Sequence, residues 1–220
     1  MNADGIAYDA QAWGETYHIT SHLPGSFSVY NTLAAASVGK AVGLSADQIE
    51  QGIAALEGVA GRVERIEAGQ SFAVVVDYAH TPDALENVLE ALRGSTTGKL
   101  AIVFGATGDR DKAKRPVMGE VTARLADHIY LTDDETYTED PEAIRSAVFE
   151  GIASAQGADK TVVIPDRLEA IERAFADAQP GDTVLLAGIG HQDYRAMGGK
   201  KLPWDERDVA HKLLTKLQKS

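Results

Sequence analysis

Val75-Val-Asp-Tyr-Ala-His-Thr-Pro-Asp-Ala-Leu85 runs from an apolar strand straight into a capped helix. Residues 72–77 read as the strand and carry Asp77 to its carboxyl end; Thr81 is a helix-capping residue and Pro82 suits the first helical turn. Ligands of open α/β sheets bind outside the carboxyl ends of the strands, and a helix N-terminus favours anions. An acid, a histidine and a helix start so close together point to a nucleotide or phosphate site. An ordinary strand-to-helix turn with a capping threonine is the alternative reading.

Working outward from this junction, strands and helices alternate to the end of the chain. Residues 72–78 and 183–187 are near-continuous apolar runs, as expected of parallel strands buried on both faces. Further strands read at 99–104, 128–132 and 161–164. Helices read at 82–93, where Leu85, Val88, Leu89 and Leu92 share one face, and at 115–125, 141–156, 167–178 and 205–217. This order predicts an α/β fold, a doubly wound, mostly parallel Rossmann-like sheet over residues 61–220 with right-handed crossovers. Residues 1–60 differ. A short hairpin (6–8 with 15–19) and two helices (31–42 and 46–56) read as a small α+β remnant of a larger domain, too little for an independent core.

Composition narrows the function. The 220 residues are 44% hydrophobic and 25% charged, the usual globular balance. Twenty-one basic against 33 acidic residues give a net charge of −12, which argues against nucleic acid or an anionic membrane as the main partner. Cysteine is absent, so disulfides and thiolate metal sites are excluded. The first residues lack a basic region followed by an apolar run, and no apolar stretch approaches the about 20 residues of a membrane span. A cytoplasmic location is expected.

Three more segments follow strands and so fall on the same rim as Asp77. Residues 105–116 pack two glycines, two acids and four bases into twelve positions; Arg110 suits bidentate grip of a carboxylate, while Lys112, Lys114 and Arg115 suit phosphate. A solvated polar loop is the bland reading. Residues 132–141 carry five acids, fit for a cationic group or a metal, or simply for a turn before a helix start. Gly188-Ile-Gly-His-Gln-Asp-Tyr194 resembles half a dinucleotide fingerprint without the third glycine, and brings His191, Gln192 and Asp193 to the rim. The triphosphate cradle G-x-x-x-x-G-K-[ST] does not occur: Gly39-Lys40, Gly98-Lys99 and Gly199-Lys200 all lack the following Ser or Thr.

Taken together these segments resemble the Mur ligases, ATP-dependent enzymes that add amino acids to the peptide of the cell-wall precursor, and among them the branch that builds UDP-N-acetylmuramoyl-tripeptide. Gly25-Ser-Phe-Ser-Val-Tyr-Asn-Thr-Leu-Ala-Ala35 is similar to the family's G-x-F-N-V-x-N-x-L-A-A, and Gly61-Arg-Val-Glu64 to its G-R-x-E. Asp77-Tyr-Ala-His-Thr-Pro-Asp-Ala-Leu85 matches D-Y-A-H-T-P-D-A-L, and Gly108-Asp-Arg-Asp-Lys112 with Lys114-Arg-Pro116 matches G-D-R-D-K-x-K-R-P. The resemblance implies that residues 1–60 end a central ATP-binding domain and that 61–220 form the C-terminal, amino-acid-binding domain. It implies Asn31 on the adenine, Arg62 on the ATP phosphates, Asp77 on the ribose and His80 beside the nucleotide. Arg110 would hold the incoming amino acid's carboxylate, in a pocket with Asp134, Glu135, Tyr137, Gly188 and Gln192. Lys112, Lys114 and Arg115 would supply positive charge. The implied reaction takes ATP, Mg²⁺, UDP-N-acetylmuramoyl-dipeptide and an amino acid, with a monomer expected and no catalytic residue assigned on this chain.

The likeness breaks at informative places. The P-loop and the UDP-binding domain are missing, so the chain alone is expected to be inactive. Where members that use meso-diaminopimelate carry D-D-N-P-R, this chain has Asp133-Asp-Glu-Thr-Tyr137, so Tyr137 stands where an arginine would hold the distal carboxylate. Gly188-Ile-Gly-His-Gln192 stands for G-K-G-H-E, so the charge that would meet the distal amine is lost at Gln192. A substrate other than meso-diaminopimelate is therefore expected, with lysine or ornithine fitting if Asp134 or Glu135 supplies the counter-charge. A stand-alone amino-acid or nucleotide-binding module, and a folylpolyglutamate-synthase-like ligase, are the alternatives.

Overall fold

The computed structural model describes residues 5–218. The chain divides into two compact units, Met1–Val59 and Ala60–Ser220. In the first, strands β1 (Ile6–Ala12) and β2 (Glu15–Ser21) form an antiparallel hairpin, longer than the sequence suggested, and helices α1 (Phe27–Ala41) and α2 (Ala46–Ala54) follow. Ser45 starts α2 with a reciprocal capping box to Gln48. Tyr17, Ile19, Ala36 and Ile49 form a small core of its own.

The second unit carries β3 (Glu64–Arg65), β4 (Ala73–Asp77), α3 (Pro82–Arg93), β5 (Leu100–Phe104), α4 (Lys114–Leu125), β6 (His128–Leu131), α5 (Pro141–Ser154), β7 (Thr161–Val163), α6 (Arg167–Asp177), β8 (Thr183–Ala187), β9 (Tyr194–Met197), β10 (Lys200–Pro203) and α7 (Glu206–Leu217). Six of these strands form one sheet in the order β3-β4-β8-β5-β6-β7, all parallel except the short edge strand β3. The α/β class and the doubly wound, mostly parallel sheet are thus as the sequence predicts. Alternation explains why the strands read as unbroken apolar runs. Val75, Ile102, Phe104 and Leu185 pack with α3, α4 and α5, while Val74, Val76, Val103 and Leu186 pack with α6 and α7.

Helix starts follow the side-chain chemistry of the sequence. Thr81, Asp140, Asp166 and Asp205 each accept a hydrogen bond from a first-turn N–H of α3, α5, α6 and α7, and Pro82 and Pro141 occupy first-turn positions. Two features were not readable. The β9–β10 hairpin pairs Tyr194 with Pro203, and β8 inserts between β4 and β5, which are consecutive strands of the unit. Insertion of β8 sets the carboxyl ends of β4, β8 and β5 side by side, and the glycine-rich segment after β8 meets the loops after β4 and β6.

The ends of α6 and α7 are locked by a buried ion pair. Arg167 and Glu206 side chains are both fully shielded from solvent, with Nη2–Oε1 at 2.6 Å and Nε–Oε1 at 3.0 Å, and Nη2 also donates to the carbonyl of Ala187 at the end of β8. Removing one partner of such a pair strands a buried charge. Glu206→Gln is expected to lower the unfolding free energy by about 3–5 kcal/mol, measured by urea denaturation. A loss under about 1 kcal/mol would show that the guanidinium finds another partner.

Candidate functional site

The carboxyl rim of the sheet has two halves. The first is built on the end of β4. Asp77 is buried, and its two carboxylate oxygens accept from the backbone N–H groups of Val63 (2.8 Å) and Ala79 (2.7 Å). Burial pushes its carboxyl up, against the downward pull of those two N–H groups. Its carbonyl accepts from Gly188 N, and Gly61 O accepts from Tyr78 N, so strand end and junction segment are stitched together. Gly61, with φ +65, abuts the backbone of Gly190 and His191 so closely that a Cβ would collide with it. Over this base lie polarisable groups: Tyr78 sits 4.6 Å from the His80 ring and 5.4 Å from the His191 ring, with the Arg62 guanidinium 5.2 Å over its face. Arg62, Asp77 and His80 therefore share one small surface. Asn31 is an exposed residue of α1 in the other unit, at the edge of a cavity of about 440 Å³ that Leu44, Ile49 and Ile53 help to line.

The second half joins the loop after β5 to the acidic loop after β6. Gly108 N donates to Glu135 O at 2.7 Å, Asp109 N to Glu139 Oε1 at 2.6 Å, and Thr138 N and Oγ1 to the Asp109 carboxylate. Asp109 and Tyr137 both adopt the left-handed backbone region (φ 51 and 50), which costs a side-chain-bearing residue energy. The β9–β10 hairpin restrains Tyr137: its N–H donates to Ala196 O and its carbonyl accepts from Gly199 N. Lys114 joins the two halves, its Nζ donating to His80 O at 2.9 Å; burial pulls its pKa down.

The three basic residues expected to neutralise phosphate separate here. Arg115 turns inward. It is buried, grips both Glu139 oxygens at 2.9 and 3.1 Å, and donates to Thr107 O. Lys112 is exposed and pairs with the same Glu139 at 3.2 Å. Arg110 is the outward guanidinium. It lies 4.9 Å over the Tyr137 ring, 3.5 Å from its hydroxyl, with no carboxylate partner among the described residues.

Behind Tyr137 the pocket turns acidic. Glu135, 6% exposed, accepts from Ala196 N (3.0 Å) and Gln192 Nε2 (3.3 Å). Asp134 is buried with Oδ1 accepting from Glu135 N and Oδ2 without a hydrogen-bond partner. Gly188, with φ +114, faces that Oδ2; a side chain there would strike it. Burial and the Glu135 charge together raise the Tyr137 phenol. Sequence reasoning missed Arg195, which is buried, donates to the carbonyls of Asp133 and Asp134 (2.6 and 3.0 Å) and stacks 4.9 Å over Trp204. Its only sequence signal was a buried-strand register that the short hairpin concealed. Among the described residues no three His, Cys, Asp or Glu side chains converge to hold a metal, and no helix is long and apolar enough to cross a membrane.

Fold and rim define a doubly wound α/β domain, a class of fold in which ligands bind at the carboxyl ends of the strands. Residues 61–190 match the family model described as Mur ligase, glutamate ligase domain. The chain is 44% identical over 210 residues to a UDP-N-acetylmuramoyl-L-alanyl-D-glutamate–2,6-diaminopimelate ligase of Solibacter usitatus, covering 96% of this chain and 42% of that protein. It is 46% identical to the ligase of the same name from Streptomyces coelicolor, covering 93% and 41%. A solved structure of a ligase of that name superposes with TM-score 0.69 at 33% identity, over all of this chain and 44% of that one. A Mycobacterium tuberculosis folylpolyglutamate synthase shares the fold, with TM-score 0.65 at 24% identity over 84% of this chain and 42% of that one. The chain belongs to the Mur ligase family, and its second unit is a Mur ligase C-terminal domain. It spans less than half the length of the relatives it matches.

Arg115 holds the Glu139 carboxyl down at about 2, below the ordinary carboxylate range. A group whose pKa is depressed by folding stabilises the fold above its unfolded value, about 4.3, and ceases to as pH falls towards the folded value. Glu139→Gln is expected to lower the urea midpoint at pH 7, with the gap from the parent closing between pH 4.5 and 2. A gap constant over that range would detach this pair from acid stability.

Proposed function

We propose that this chain supplies the amino-acid-binding side of an ATP-dependent ligase that adds the third residue to UDP-N-acetylmuramoyl-dipeptide in peptidoglycan synthesis. One observation carries this reading: Arg110, a cation without a carboxylate, and Glu135, a carboxylate without a cation, flank Tyr137. An amino acid, anionic at its carboxylate and cationic at an amine, complements that pair. The names of the relatives support the same reaction class.

In the reaction, ATP transfers its terminal phosphoryl group to the dipeptide's free carboxylate, giving an acyl phosphate and ADP. The amine of the incoming amino acid attacks the acyl carbon, phosphate leaves, and the amine proton passes to solvent or base. Arg62 and the Tyr78, His80 and His191 rings are the proposed nucleotide surface, with Asp77 on the ribose. Asp77 also braces the surface, since its oxygens already accept from Val63 and Ala79. Arg110 holds the amino acid's carboxylate. Lys114, fixed between the two halves, provides positive charge beside the transferring group. Mg²⁺ supplies charge neutralisation on the phosphates. Without a G-x-x-x-x-G-K-[ST] segment in its 220 residues, the chain alone is inactive; the working enzyme is a cytoplasmic monomer.

The amino acid is one other than meso-diaminopimelate. Tyr137 brings no cation for a second carboxylate, and Gln192 no charge, whereas Glu135 suits lysine or ornithine. The relatives' names favour 2,6-diaminopimelate as the second reading.

Phosphate release with ATP, Mg²⁺, UDP-N-acetylmuramoyl-dipeptide and a panel of amino acids tests the reading. The 220-residue chain should show no turnover, and a complete enzyme containing it should prefer lysine or ornithine. A clear preference for meso-diaminopimelate would establish the second reading. Arg110→Ala in that enzyme should raise the amino acid's KM and cost about 2–5 kcal/mol in kcat/KM; unchanged amino-acid kinetics would remove Arg110 from the site.

A further inference from the structure

We propose that His80, through its Nε2, takes the proton that the amino acid's amine loses as it attacks the acyl phosphate. This rests on the ligase reading above and assigns a step which that reading leaves open. The observation that carries it is a hydrogen bond with only one possible direction. His80 Nδ1 lies 2.7 Å from the carbonyl oxygen of Tyr78. A carbonyl oxygen only accepts, so Nδ1 carries the hydrogen. In the neutral ring Nε2 is then the bare nitrogen, with a lone pair to offer. Nε2 has no hydrogen-bond partner among the described residues and is not buried, so nothing in the chain occupies that lone pair.

Two further contacts place the ring. Lys114 Nζ donates to the His80 carbonyl at 2.9 Å, which ties this residue to the first turn of α4, four residues on from Arg110. The Tyr78 ring, with its centroid 4.6 Å away, backs the imidazole. In the ligase reading Arg110 holds the amino acid's carboxylate, and the attacking α-amine sits on the carbon next to that carboxylate. His80 is thus bonded to the side of the rim where that nitrogen has to lie. The titratable and charged groups around His80 and Tyr78 are Asp77 at the end of β4, Asp83 in the first turn of α3, Arg62 before β3, Lys114 in α4 and His191 after β8. The His191 ring makes no hydrogen bond among the described residues, so its tautomer is not fixed. In the step itself the amine forms the C–N bond with its lone pair. The bond from the acyl carbon to the phosphate oxygen breaks, and its electron pair leaves with phosphate. The nitrogen's proton moves to Nε2, and the imidazolium returns it to solvent. A histidine suits this work because its ordinary titration falls near neutral pH.

Nitrogen–proton correlation spectra of the imidazoles in isotope-labelled 220-residue protein read the tautomer directly, with His80→Asn assigning the signal. Neutral His80 should carry its hydrogen on Nδ1; a hydrogen on Nε2 overturns the proposal. In a complete enzyme containing this chain, His80→Asn keeps an N–H able to meet the Tyr78 carbonyl but removes the base. Its kcat should fall about 100-fold or more, with the KM values for ATP and the amino acid within a few-fold of the parent. The acid limb of the kcat–pH profile should vanish with it. A raised KM with kcat unchanged makes His80 a binding group and overturns the proposal. So does an acid limb that survives in His80→Asn and disappears in His191→Gln. A complete enzyme that forms no amide with ATP overturns the ligase reading, and this proposal with it, whichever tautomer the spectra show.

Discussion

A single guanidinium with no access to water, Arg167, holds the working end of this domain in place. Its charge is met by Glu206, and Nη2 also donates to the carbonyl that ends β8, while Nη1 is buried without a hydrogen-bond partner. Three elements from distant parts of the chain must therefore be correctly placed before that charge can be buried without large cost. The restraint propagates outward. Glu206 also accepts from the Trp204 indole, Arg195 stacks on Trp204, and Arg195 grips the carbonyls of Asp133 and Asp134. The acidic loop is thus positioned from beneath by a buried cation.

Above that foundation the rim sorts its charges by burial. Positions that look alike in sequence acquire opposite tasks. In the run Arg110, Lys112, Lys114 and Arg115, only Arg110 faces outward without an acid. Arg115, five residues on, enters α4 and is consumed by Glu139. Among the acids of the loop after β6, Asp133 and Glu139 hold the loop together, while Glu135 keeps an unmatched charge. A net charge of −12 says nothing about this distribution. What matters at the site is which few charges remain unpaired after the structural pairs have formed.

The same logic accounts for backbone strain at the rim. Tyr137 occupies a left-handed conformation that a bulky residue adopts only under constraint, and the β9–β10 hairpin supplies it through two hydrogen bonds. The ring is thereby fixed between Arg110 and Glu135. A residue at this position with an ordinary backbone would send its side chain elsewhere, so the hairpin helps to place the candidate site's Tyr137.

The sequence by itself determined the fold class, the capped helix starts of the second unit and the rim, but not the start of α1, read at 31 and found at Phe27 without a side-chain cap. Apolar runs at β4, β5 and β8 require burial on both faces, and Thr81, Asp140, Asp166 and Asp205 cap helices through contacts two or three residues away. Such local rules are readable because their partners lie within one turn. It also carried the motifs that mark Asp77, His80 and Arg110 as rim residues. Tertiary structure alone decided the insertion of β8 between β4 and β5, the β9–β10 hairpin, the withdrawal of Arg115 and the role of Asp77 as a brace. The brace at Asp77 and the withdrawal of Arg115 depend on partners 14 and 24 residues away, Val63 and Glu139, the place of β8 depends on strand order, and the hairpin is a short local pairing that its few residues did not announce. Residue type cannot reveal whether a charge is spent internally or left for a ligand; only the packed neighbours decide that, because burial makes an unpaired charge expensive and selects which pairs must form.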